Sequence, residues 1–70
     1  MNGYIARNKL SCIYEGIFLF HTDSQASKRL TQYYDGRVDE YEIFKVLDFD
    51  PESGEINLFD KFQIDYPYIS

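Results

Sequence analysis

The sequence predicts an α+β fold: a small ββαββ domain in which one helix packs on an antiparallel sheet. Three observations carry that prediction. The second half reads as two long strands, Tyr41 to Phe49 and Glu55 to Tyr66, joined by the turn Asp50-Pro51-Glu52-Ser53-Gly54. The middle, from Thr22 to Tyr34, repeats its apolar residues at helical spacing. The first quarter alternates and then turns apolar, as a pair of strands would.

In order along the chain, residues 4–14 place Tyr4, Ala6, Leu10, Cys12 and Tyr14 on one parity. That pattern suits a half-buried strand, with a break near Asn8. Glu15-Gly16 reads as a tight turn into a second strand, Ile17 to His21. Its unbroken apolar run predicts a central strand covered on both faces.

Thr22-Asp23-Ser24-Gln25 is a helix start: Thr22 can accept from the Gln25 amide, Gln25 can reach back, and Asp23 adds negative charge to the first turn. Ala26, Leu30, Tyr33 and Tyr34 then form one apolar stripe, and Gly36 supplies a left-handed stop. In the closing hairpin, Pro51 presets a corner, Asp50 can accept from amides ahead of it, and Gly54 provides positive φ. Strict alternation would put Tyr41, Ile43, Leu47 and Phe49 on one face with Ile56, Leu58, Phe62, Ile64 and Tyr66. The other face would be acidic, with Phe44 and Phe59 standing in it.

Seventy residues make one domain, 1–70, and a chain this short is marginally stable without help. Cys12 is the only cysteine, so no intrachain disulfide can form. A lone thiol fits a reducing cytoplasm. Seven tyrosines and six phenylalanines are a heavy aromatic load, which leads us to expect a homodimer that covers some of them. No signal peptide or membrane span is visible, because Ile17 to Phe20 is too short an apolar run.

Charge is divided. Residues 1–34 hold four bases against two acids, a balance of +2, while residues 35–70 hold three bases against ten acids, a balance of −7. The acidic half disfavours direct contact with nucleic acid and favours a basic partner.

Motifs for chemistry are weak. Asp48-x-Asp50-x-Glu52-x-Gly54 has the outline of a calcium loop, but Ser53 and Phe59 stand where that loop needs its glycine and its bidentate glutamate. The segment reads better as a turn. Cys12 and His21 offer a nucleophile and a base with no third group to orient them, and one of each falls short of a zinc set. We therefore expect no enzyme, no metal and no cofactor.

The acidic hairpin is the best candidate site. Carboxylates two residues apart on a strand are about 6.6 Å apart, and two nucleotide steps along a DNA strand rise about 6.8 Å. Glu40 with Glu42 and Asp48 with Asp50 have that spacing, with Asp39, Asp60 and the aromatic anchors Phe44 and Phe59 beside them. Such a face could occupy a nucleic-acid groove on another protein. The plain alternative is an acidic surface that serves solubility. A second candidate is a nucleotide-binding cleft in a dimer, using Arg29, Tyr33, Tyr34 and Arg37, although Lys28, Arg29 and Arg37 read equally as the wet side of a helix. A third reading is a structural or assembly module.

The segment Ser24-Gln25-Ala26-Ser27-Lys28-Arg29-Leu30, with the small size, acidic balance and strand-helix-strand order, resembles small phage-encoded anti-defence proteins, including anti-CRISPR proteins. That resemblance implies a stoichiometric inhibitor of a nucleic-acid-binding host defence complex. It carries over no site residue.

Overall fold

The computed structural model describes residues 1–69. Among them the chain forms β1 (Asn2–Asn8), β2 (Tyr14–Phe20), α1 (Asp23–Tyr33), a 3₁₀ turn (Val38–Glu40), β3 (Tyr41–Phe49) and β4 (Ile56–Gln63). The strands make one antiparallel sheet in the order β2-β1-β3-β4, with α1 lying on one face, so the fold is the α+β ββαββ arrangement. No helix of the described residues is long and apolar enough to cross a membrane.

The first hairpin turns earlier than the glycine suggested. Asn8 ends β1 and its Oδ1 accepts from the amides of Leu10 and Ser11, an Asx turn that reverses the chain before Tyr14. Glu15-Gly16 is therefore inside β2 rather than between strands. Ile5 pairs with Gly16 and Tyr4 with Phe18, which leaves Ile17 as the extra residue of a bulge. Gly16 has φ +141°, and a Cβ there would come within 3.3 Å of the β1 backbone, so glycine serves close approach rather than a turn.

β2 is also an edge strand, not the central strand its apolar run implied. Phe18 and Phe20 pack toward the helix, while Ile17 and Leu19 remain exposed. The run is apolar on both parities because both faces of this strand are apolar, and only one of them is covered.

α1 starts as read. Thr22 Oγ1 accepts from the Gln25 amide at 3.1 Å, and the Gln25 side chain accepts from the His21 amide. Ala26, Leu30 and Tyr34 are buried, but Tyr33 is 69% exposed, and Ser27 takes the buried place beside Ala26. The helix ends at Tyr33, and Gly36, at φ +82°, lies in the turn beyond it.

Among the described residues the core is Tyr4, Ala6, Ala26, Leu30, Tyr34, Tyr41, Ile43 and Ile64, flanked by Phe18, Phe20, Val38 and Tyr66. Its tyrosines need partners for their hydroxyls. Tyr4 donates to Asp23 at 2.6 Å, and Asp23 in turn takes Lys45 at 3.3 Å. Tyr34 stacks on Tyr41 at 3.8 Å and donates to Glu15 at 2.5 Å. Arg37 donates to the Tyr41 hydroxyl at 2.6 Å. The buried Tyr66 hydroxyl has no partner among the described residues. A buried unpaired hydroxyl costs about 1–3 kcal/mol. Tyr66→Phe should therefore raise stability by about 1 kcal/mol in urea unfolding, and a loss instead would show that the hydroxyl is satisfied.

Candidate functional site

The closing hairpin is built by its turn. Asp50 Oδ1 accepts from the amides of Glu52 at 2.8 Å and Ser53 at 3.5 Å, and its carbonyl accepts from Gly54, whose φ is +75°. Those amide bonds hold the Asp50 carboxyl below its ordinary range. The Ser53 hydroxyl oxygen accepts a further bond from the Glu55 amide at 3.2 Å. The segment from Asp48 to Asp60 carries five carboxylates and no base. All the residues from Asp50 to Asp60 are exposed.

Cross-strand partners share a face of the sheet, and this fixes where the hairpin side chains point. On β1, Tyr4 and Ala6 enter the core, so Gly3, Ile5 and Arg7 belong to the opposite, uncovered face. Gly3 pairs with Leu47 and Tyr4 with Lys45, which makes Val46 the extra residue of a bulge in β3. Beyond it the parity inverts. Leu47 and Phe49 leave the side of Tyr41 and Ile43, and a Cβ on Gly3 would lie 2.7 Å from the Leu47 side chain. Their β4 partners Leu58 and Ile56 go with them, while Asp48 pairs with Asn57 on the helix side. A second irregularity sets Phe59, Asp60 and Lys61 against Val46 alone.

The two acid pairs spaced like phosphates therefore do not form rows. Glu40 lies in the 3₁₀ turn, 3.6 Å from Arg37, and Glu42 stands on the uncovered face, bonded to Arg7 at 3.0 Å. Asp48 accepts from Asn57 at 3.1 Å, and Asp50 is used by its own turn. Asp39 is exposed in the 3₁₀ turn and Asp60 in the β4 irregularity. Phe44 is half-buried against Tyr14, with Lys61 over both rings, whereas Phe59 is partly exposed beside Asp60. What the fold does assemble is an acidic hairpin end, with Asp48, Asp50, Glu52 and Glu55 around one turn and Asp60 farther along β4.

The proposed nucleotide contacts are separated. Tyr34 is in the core, Tyr33 packs at the surface on Phe18, and Arg37 is held by Tyr41 and Glu40. Arg29 instead lines a shallow depression with Thr22, Ser24, Gln25 and Lys28. Cys12 and His21 sit beyond opposite ends of β2, about 23 Å apart for a seven-residue strand. Among the described residues no three His, Cys, Asp or Glu side chains converge as metal ligands would.

Sequence reading missed a different surface. The uncovered face of the sheet carries Ile5, Ile17, Leu19, Leu47, Phe49 and Leu58, several of them exposed. The signal was present in β2 and β3, which are apolar on both parities, but the bulges at Ile17 and Val46 hid how those residues align. No family model matches the sequence, and no curated protein or solved structure matches the chain.

Proposed function

We propose that this chain is a non-enzymatic inhibitor that binds a basic, nucleic-acid-binding protein through the acidic end of its β3–β4 hairpin. The carrying observation is the run of five carboxylates from Asp48 to Asp60, without a base among them, spread over the end of β3, a turn held by Asp50, and β4. A pre-ordered anionic end loses little entropy on docking and speeds encounter with a positive groove. Phe59, partly exposed beside Asp60, offers an apolar anchor next to the charge. The resemblance to phage anti-defence proteins puts a host defence complex first among targets. The local cluster replaces the phosphate-like rows as the supporting feature, because Glu40 and Glu42 are engaged by Arg37 and Arg7.

Glu52 and Glu55 are the residues to reverse, since both are exposed at the turn and neither side chain holds the fold. Capture of a nucleic-acid-binding protein from a bacterial lysate should be strong at low salt and lost at high salt. The E52K/E55K variant should bind about tenfold or more weakly, with unchanged circular dichroism. Capture that survives this reversal would end the reading.

A further inference from the structure

The uncovered sheet face presents an unusual combination of apolar area and near-neutral charge. Ile5, Leu47 and Phe49 are half-buried at its centre, and Ile17 and Leu19 on one edge and Leu58 on the other are exposed by 53%, 48% and 77%. Among the described residues its charges are Arg7, bonded to Glu42, and Lys61, which lies over Tyr14 and Phe44. The chain as a whole carries −5. A strand that is apolar on both sides is ordinarily covered on both sides, and here the helix covers one.

We propose that a second copy of this chain covers the face, giving a two-sheet sandwich with a helix on each outer side. Three observations favour that occupant. First, the face offers a basic groove nothing to attract it, since Glu42 is already paired and the remaining charge is positive. Second, placing two such faces together turns the acidic hairpin end of each chain outward, and Glu42, on the face itself, enters the interface already paired with Arg7. Third, the size fits. Four strands spaced about 4.8 Å apart and about 23 Å long present roughly 440 Å² in projection, so two copies bring together roughly 900 Å², the small end of the range and in keeping with a dimer that dissociates on dilution. Identical faces are matched in extent, and a two-fold axis closes the assembly without leaving an open end. Asp48 pairs toward the helix side, and the turn acids lie at the hairpin end, so this packing leaves the acidic end outside it.

Light scattering after size exclusion tests this directly. The wild-type chain should run at twice its 8.3 kDa mass at high micromolar concentration and move toward the single-chain mass on dilution. Leu19→Lys on β2 and Leu58→Lys on β4, made separately, should each give the single-chain mass at the same concentration. Both side chains are solvent-exposed in one copy, so the isolated fold tolerates the charge, and circular dichroism should not change. The two variants lie on opposite edges, so either alone keeps the test open should the other fail to fold. A wild-type chain that remains at single mass at millimolar concentration overturns the proposal, as does a doubled mass that persists in a folded variant. Leu19→Lys leaves Glu52 and Glu55 in place, so its capture of a basic partner reports on the hairpin separately.

Discussion

Raised through the alkaline range, pH should unfold this protein between about 10 and 12, in step with the ionisation of buried tyrosines. In the unfolded chain a tyrosine loses its proton near pH 10. In the fold, burial and the neighbouring Asp23 push Tyr4 up to about 12. Burial and Asp39 push Tyr66 up to about 12, and burial with the Glu15 carboxylate raises Tyr34 further. Below pH 10 all three are protonated in both states and their stabilisation is whole. Above it the unfolded chain binds fewer protons than the fold, so stability falls as pH rises. Each such group removes about 1.4 kcal/mol per pH unit, and the three together about 4. A domain of this length has only about 3.5–10 kcal/mol in total. Tyrosinate absorbance and circular dichroism should therefore change together for part of the tyrosine signal. All seven tyrosines ionising in one smooth step with an unchanged fold would contradict the packing described for Tyr4 and Tyr34. Tyr66→Phe should make the alkaline loss less steep as well as raise the neutral-pH stability.

The element order was legible because it rests on local chemistry. Thr22 and Gln25 cap the helix, and Asp50 with Gly54 turns the last hairpin, whatever the rest of the chain does. Errors came where one residue type serves two purposes. Gly16 looked like a turn glycine, but Asn8 made the turn and Gly16 admitted a bulge against β1. The apolar run in β2 looked central because a strand buried on both sides and an edge strand with one uncovered apolar face have the same sequence.

The candidate site was harder for a related reason. Period-two alternation assigns faces only while the ladder is regular. One extra residue at Val46 inverts the rest of β3, so Leu47 and Phe49 cross to the uncovered face and Asp48 crosses to the helix side, until the irregularity in β4 returns Phe62 and Ile64 to the helix side. The acidic composition of the hairpin was visible from sequence alone. Which carboxylates are free was not, because the partners of Glu42 and Glu40 are Arg7, which is distant in sequence, and Arg37, whose contact depends on a 3₁₀ turn.

Removing the centre of the helix's buried stripe should cost most of what stability there is. Leu30 is 1% exposed, with Ala26 one turn before it and Tyr34 one turn after it. The core beneath is built largely from Tyr4, Tyr34 and Tyr41, whose rings are fixed by bonds to Asp23, Glu15 and Arg37. Rings tethered in this way cannot move to fill a void, so Leu30→Ala should fall in the costly part of the range, about 2–5 kcal/mol. For a domain of this size that corresponds to a loss of about 10 °C or more in Tm. Tyr33→Ala, three residues farther along the same helix, removes a larger side chain that is mostly in water and should cost no more than about 1 kcal/mol. Urea unfolding of the pair reads the orientation of the helix directly. Equal losses would mean that Tyr33 is buried as deeply as Leu30, either by a rotated helix or by a surface that covers it.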